Sequence, residues 1–291
     1  MVHPYILHND EIRRAEEPAI APGQIGALSG WGVFSTMRVA RGMLFEFPRH
    51  YARMRHDAEL MNVPFPSDPE RVERLLLRLV EANGQTDCTL RVAVMRNKGG
   101  LWQAPRIERD YDLFALTASL HNWGRAVRLA LQAHGRYSAS RFSSAKILSW
   151  AQNLTMYEEA QRRGFDEVIL LNERGEISEC TSANLFVANG NRVRTPPLSS
   201  GCLPGVTREV ILKEIQIPGI EIVEETLSPP DLDSADEVFI TSTTRDLLSV
   251  IDVEGMHIRH EGTARELLQD AFGHYIDRYV QERQKRFLLP T

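Results

Sequence analysis

Lys146, Glu179 and the turn Leu203-Pro204-Gly205-Val206-Thr207-Arg208 are the residues of this chain whose types and order could do chemistry together. A lysine amine can hold an aldehyde as a Schiff base, and a carboxylate can keep a pyridine nitrogen protonated. A helix that opens on glycine offers unbonded amides and a partial positive charge to a phosphate, to which Thr207 adds a hydroxyl and an arginine could add a fork. Together they read as a pyridoxal phosphate site. Each alone has an ordinary explanation. A lysine with the usual pKa of about 10.4 is protonated and unreactive at neutral pH. Acids are disfavoured in strands, yet Glu179 alone could be an edge charge. Pro-Gly before a helix is common turn chemistry, and a hydroxyl near a helix start can simply cap it.

The elements that must position these residues follow from periodicity and turn signals. Residues 32–39 are β-rich, Arg41-Gly42 makes a turn and 43–47 resume an extended pattern, which is a hairpin. Pro48 then opens a helix with Tyr51, Met54 and Leu60 roughly on one side, and a second helix covers 69–82. Strands at 90–95 and 113–119 flank an irregular Gly/Pro stretch at 99–105. After a short strand at 126–131 and a polar Ser/Arg segment, Ile147, Trp150, Leu154 and Tyr157 recur at helical spacing up to Gly164. Lys146 therefore falls where loop becomes helix. A meander follows: strands at 167–171, around Ile177, at 185–187 and at 192–194, with Glu179 on the sheet. A helix at 206–215, strands at 220–223 and 238–241 and a helix from about 264 to 284 complete a mixed α/β chain.

At 291 residues the chain exceeds the size at which one core usually stops growing, so two domains are expected. They are a small N-terminal α/β domain at 1–120 and a large C-terminal cofactor-binding domain at 138–291, joined by a connection at 121–137. A hydrophobic content of 43% with 25% charged residues fits an ordinary globular protein. The net charge of −5 disfavours nucleic acid as a partner, and the basic run from Arg283 to Arg286 reads as a solvated helix face. Cys88, Cys180 and Cys202 form no CxxC pair and no Cys/His cluster, so no metal is expected. The start Met1-Val2-His3-Pro4-Tyr5 has no basic segment before an apolar stretch, and no run is long enough to span a bilayer. A cytoplasmic protein with reduced thiols and no membrane partner is expected.

The order of these residues also resembles the fold-type IV pyridoxal phosphate enzymes: branched-chain aminotransferase, D-amino-acid aminotransferase and aminodeoxychorismate lyase. The likeness runs through Lys146, Gly164, Ile177-Ser178-Glu179, Asn184-Leu185-Phe186, Thr195-Pro196 and Leu203 to Arg208. It extends to Gly32-Val33-Phe34, His50-Tyr51-Ala52-Arg53 and Phe239-Ile240-Thr241-Ser242-Thr243-Thr244, so nearly the whole chain is covered. The resemblance implies a two-domain α/β fold like D-amino-acid aminotransferase, with the cofactor at the domain interface. It implies that Lys146 attaches the cofactor and shuttles the proton between substrate Cα and cofactor C4′, while Glu179 faces the pyridine nitrogen. Arg53, the Val206 amide, Thr207 and Thr243 would hold the phosphate, and Leu203 would pack on the ring. Phe34, Arg91, Trp102 and Thr244 would contact substrate. A homodimer is implied too, with the 99–105 loop, bearing Leu101 and Trp102, reaching the neighbouring chain's cleft.

Four departures from the family pattern bear on substrate. Ala151 stands where transaminases of this family often have a tyrosine on the cofactor's phenolic oxygen, and no Arg-x-His pair of the D-amino-acid type follows Met95-Arg96-Asn97. Thr89 replaces the tyrosine that neighbours the arginine at the Arg91 position, and residues 34–38 and 179–184 resemble the lyase as much as the transaminase. The expected function is an aminotransferase with ping-pong chemistry, moving an amino group from an amino acid, branched-chain-like at best guess, to a 2-oxo acid. The alternatives are aminodeoxychorismate lyase, which eliminates pyruvate to give p-aminobenzoate, and a non-catalytic pyridoxal phosphate-binding homologue.

Overall fold

Strands of alternating burial in the first third of the chain close into one antiparallel sheet, and a second sheet forms from the meander around Glu179. The computed structural model describes residues 1–101, 105 and 107–288, the last three by backbone alone. Its described part divides into two units: residues 1–121, 145–150 and 278 onward form the first, and 122–144 with 151–277 the second.

The first unit contains β1 (Val2–His8), β2 (Glu11–Arg14), α1 (Ile25–Ser29), β3 (Gly32–Ala40), β4 (Met43–Leu44), α2 (Phe47–Leu60), α3 (Pro69–Ala82), β5 (Cys88–Arg96) and β6 (Tyr111–Ala118). The strands pair antiparallel in the order β2-β1-β6-β5-β3-β4, with Phe34 opposite Ala93 and Thr36 opposite Arg91. In α3, Asp68 accepts the Arg71 amide at 3.0 Å and Pro69 occupies the first turn, a helix start built from a capping carboxylate and a preset φ. Its Val72, Leu75, Leu76, Leu79 and Val80 recur at three- and four-residue spacing and are buried against Met37 and Leu90 in one core cluster. Each such leucine contributes roughly 1.5–3 kcal/mol of burial. Residues 2–14, to which periodicity assigns no element, form β1 and β2.

The second unit contains β7 (Ala126–Gln132), α4 (Ala151–Arg162), β8 (Glu167–Leu171), β9 (Ile177–Cys180), β10 (Asn184–Asn189), β11 (Arg192–Thr195), α5 (Val206–Lys213), β12 (Glu221–Glu224), α6 (Pro229–Asp233), β13 (Glu237–Ser242), β14 (Asp246–Val253) and the start of α7 (Ala264–Leu288). Its eight strands run β12-β11-β10-β13-β14-β7-β8-β9, parallel at β12/β11, β14/β7 and β7/β8 and antiparallel elsewhere. All residues of β8 and β9 are buried, so these strands read as unbroken runs rather than as alternation. Leu170 lies opposite Glu179. β14 has no counterpart in the sequence reading.

Two segments fall differently from the expected boundaries. The helix after Lys146 begins at Ala151, not at Ile147, because the preceding residues are drawn to the edge of β3: Phe34 donates its amide to the Lys146 carbonyl at 3.0 Å, Leu148 donates to Gly32 at 2.9 Å, and Ile147 bridges Val33. Those bonds place 145–150 in the first unit, whereas the sequence assigns them to a domain at 138–291. The chain from 278 onward also groups there, where Tyr279 meets Phe45 edge-on at 5.3 Å and Arg283 pairs with Glu73. Among the described residues no helix is long and apolar enough to cross a membrane.

Candidate active site

In the first unit the chemistry gathers on β3. Phe34 is buried, and its ring carries a cation at two points: Lys146 Nζ at 4.7 Å and Arg91 Cζ at 4.0 Å from the centroid. Trp150 meets the same ring edge-on at 6.2 Å. An aromatic face attracts each cation, but two cations on one ring repel each other, so a nearby anion is favoured. Burial pushes the Arg91 guanidinium below its ordinary pKa.

Helix α2 supplies His50, Arg53 and Asp57, spaced three and four apart and hence on one side of the helix. Arg53 Nη2 donates to Ser35 Oγ at 2.8 Å, and the same hydroxyl lies 2.8 Å from His50 Nδ1. Ser35 accepts from Arg53 and shares its remaining donor or lone pair with Nδ1, the direction following the imidazole tautomer. His50 is fully buried, and burial first, then the charges of Arg53 and Lys146, hold its pKa well below 6.5. Asp57 Oδ2 accepts the Lys146 amide at 3.1 Å and so fixes the backbone that carries the amine. Burial raises its pKa, opposed by that hydrogen bond and by Arg53, His56 and Lys146.

In the second unit Glu179 is buried with both oxygens engaged: Arg136 Nη2 donates to Oε1 at 2.6 Å and the Leu203 amide to Oε2 at 3.0 Å. Asn184 Nδ2 donates to the Leu203 carbonyl at 3.0 Å, so the strand β10 holds the turn that contacts Glu179. Gly205 ends that turn as the cap of α5, with no side-chain cap, and a Cβ there would run into Asn184 Oδ1. The close approach, rather than an unusual φ, requires glycine. Val206 and Thr207 are buried in the first turn of α5. Arg208 is turned elsewhere, bonding Pro196 O at 2.7 Å and pairing with Glu224, so its fork does not serve the turn. Thr243 and Thr244 are half-buried in the turn between β13 and β14, and next to them the buried Thr241 Oγ1 has no hydrogen-bond partner among the described residues.

Of the expected residues, Phe34, Arg53, Arg91 and Lys146 thus lie in the first unit and Glu179, Leu203, Val206, Thr207, Thr243 and Thr244 in the second. Trp102 lies outside the described residues. Ser35, Asp57 and Arg136 escaped the sequence reading. His50 entered only through its likeness to the family's His-x-x-Arg pair, and Ala151, the first residue of α4, is exposed. Taken unit by unit, the half-buried Lys146 amine of the first has the chemistry to hold an aldehyde, and the doubly bonded Glu179 carboxylate and uncapped start of α5 in the second have that for a pyridine nitrogen and a phosphate.

The sequence profile of the family described as amino-transferase class IV matches residues 32–253. The chain belongs to the class IV aminotransferase family. Like its family, this transaminase uses pyridoxal phosphate and acts on amino and 2-oxo acids. This class IV aminotransferase is 27% identical over 271 residues to the D-alanine aminotransferase of Bacillus licheniformis, covering 87% of this chain and 89% of that one. It is 26% identical over 295 residues to the branched-chain-amino-acid aminotransferase of Salmonella typhimurium, covering 92% and 91%. The solved branched-chain amino acid aminotransferase of Escherichia coli superposes with a TM-score of 0.86 at 25% identity, covering 94% of each chain.

Proposed function

We propose that this class IV aminotransferase moves the amino group of a branched-chain-type amino acid to a 2-oxo acid, with Lys146 and Glu179 serving the same cofactor. The observation that carries the reading is the Glu179 carboxylate, buried and fixed by the Arg136 guanidinium and the Leu203 amide, following Lys146 in the family's order. Bound pyridoxal phosphate supplies an electron sink for the charge left when the substrate Cα loses its proton. Lys146 would hold the cofactor aldehyde through its amine and, once the substrate amine has displaced it, its freed Nζ would carry a proton between the substrate Cα and cofactor C4′. Glu179 keeps the pyridine nitrogen protonated. Arg53, the Val206 amide, Thr207 and Thr243 hold the phosphate, and Leu203 packs on the ring. Arg91, a desolvated cation over Phe34, attracts the substrate carboxylate, with Phe34 and Thr244 beside the substrate.

The branched-chain assignment draws on relatives bearing that name at 26% identity. A panel of amino donors against 2-oxo acids tests it. Turnover of leucine, isoleucine and valine with a 2-oxo acid is expected. Turnover of D-alanine alone, or release of pyruvate and p-aminobenzoate from added aminodeoxychorismate with no oxo acid present, would overturn it. We also propose a cytoplasmic homodimer, which the three buried free cysteines and the 92% exposed Leu101 support. Light scattering that finds a fully active monomer would refute the dimer.

A further inference from the structure

Glu167 and Arg245 form a buried ion pair that none of the assigned roles uses. Glu167, the first residue of β8, has no solvent exposure, and the Arg245 side chain has 4%. The carboxylate accepts Arg245 Nη2 at 3.2 Å, the Val168 amide at 3.0 Å and the hydroxyls of Thr181 and Ser182. The guanidinium also donates from Nη1 to the Ser182 carbonyl at 3.2 Å and lies 3.8 Å over the Trp123 ring. Thr181 is bound further by Asn153 Nδ2 on its carbonyl at 2.8 Å.

The positions of these partners in the chain give the pair its meaning. Thr181 and Ser182 follow Glu179 by two and three residues, and Arg245 follows Thr243 by two in the turn that also carries Thr244. One carboxylate therefore ties the end of the Glu179 strand to the turn of the two threonines. Desolvating two charges is costly, and a well-packed apolar pair would often serve stability as well. What an apolar pair could not do is hold the turn through two directed hydrogen bonds, from Arg245 to Glu167 and to the Ser182 carbonyl, while the same carboxylate holds the Thr181 and Ser182 hydroxyls.

We infer that Glu167 and Arg245 are positioning residues for the phosphate: they lock the Thr243–Thr244 turn onto the strand end after Glu179. The inference rests on the reading of Thr243 as a phosphate ligand. The ring end is held separately, by Arg136 and the Leu203 amide, so loosening the turn weakens phosphate recognition and leaves ring recognition intact.

The test compares affinity for pyridoxal phosphate with affinity for pyridoxal, which lacks the phosphate, in the full chain. Arg245→Met alone strands a buried carboxylate and can fail to fold, so the decisive variant is Glu167→Gln/Arg245→Met, which removes both charges and keeps an acceptor for Thr181. Expected are a melting temperature close to wild type, a pyridoxal phosphate affinity lower by about tenfold, the scale of one charge-assisted hydrogen bond, and a pyridoxal affinity within about twofold. Arg245→Lys should recover part of the loss. Equal losses for both ligands, or none for either, would overturn the role and leave the pair merely structural. Thr207→Ala and Arg53→Ala serve as controls. If they lower the affinity ratio and the double variant does not, the positioning role alone fails. If they leave the ratio unchanged, the phosphate reading fails and the inference with it.

Discussion

Arg136 Nη2 donates to Glu179 Oε1 at 2.6 Å while the Leu203 amide donates to the other oxygen at 3.0 Å, so the carboxylate is gripped from two sides before any ligand arrives. The guanidinium and the backbone amide each donate to one oxygen, which fixes the plane of the carboxylate. A preset anion needs no reorganisation when a protonated nitrogen is presented to it.

Glu179→Gln should therefore retain the cofactor but lower kcat by about 10²–10³, the scale of one preorganised electrostatic group. A neutral amide must also turn its NH2 toward either Arg136 or the Leu203 amide, both donors. Steady-state kinetics together with the cofactor's absorbance check this. An unchanged kcat with an unchanged spectrum removes Glu179 from the role.

Lys146→Ala should abolish turnover and leave the fold in place. The segment is held by backbone, through its carbonyl to the Phe34 amide and its amide to Asp57, and neither bond uses the side chain. Circular dichroism matching wild type with no detectable product is the expected pair of results. Normal turnover would dismiss the mechanism.

Arg53→Ala and Thr207→Ala should each weaken cofactor affinity by about 1.5–3 kcal/mol, the scale of a hydrogen bond to a charged group. For Arg53 the Ser35 hydroxyl also loses its donor, although Ser35 can keep its bond to His50. Equilibrium titration with pyridoxal phosphate gives the number. Dissociation constants unchanged in both variants would place the phosphate elsewhere.

The order Lys146, Glu179, Gly205-Val206-Thr207 was legible because each group sits in a local pattern: a loop end, a strand, a glycine turn before a helix. Their supports were not. Asp57 meets Lys146 across 89 positions, Arg136 meets Glu179 across 43 and Arg245 meets Glu167 across 78. No local spacing encodes such pairs. Ile147 and Trp150 match a helical period, yet pairing with β3 overrides it, since two backbone hydrogen bonds outweigh a weak propensity over four residues. β1, β2 and β14 lack clean alternation because their burial is mixed, as in the exposed, half-buried and buried positions of 2–8.

His50 should make the protein less stable in mild acid. Burial depresses its pKa well below 6.5, so between that depressed value and 6.5 the unfolded chain binds the extra proton and the folded chain does not. Stability carries no penalty above about 6.5 and falls by up to about 1.4 kcal/mol for each pH unit below it. Asp57 acts in the opposite sense in the window above 3.8, because its folded pKa is raised. Comparing wild type with His50→Gln isolates the imidazole. Denaturant unfolding across this range should show a flatter profile in the variant, and parallel profiles would contradict the assignment.

Gly205→Ala should destabilise the turn that contacts Glu179, although its φ of −66° suits any residue. The obstacle is space: an added Cβ would run into Asn184 Oδ1, whose amide holds the Leu203 carbonyl. Asn184 is fixed in β10 opposite Thr241, so it cannot simply swing away. Overpacking of this kind costs about 1–3 kcal/mol. Shortening the obstructing side chain should relieve it, so Asn184→Ala/Gly205→Ala should be less damaged than the sum of the two single variants, with a coupling of about 0.5–3 kcal/mol. Denaturant melts of the four proteins supply the cycle. Additive losses would show that the glycine is required by something other than its contact with Asn184.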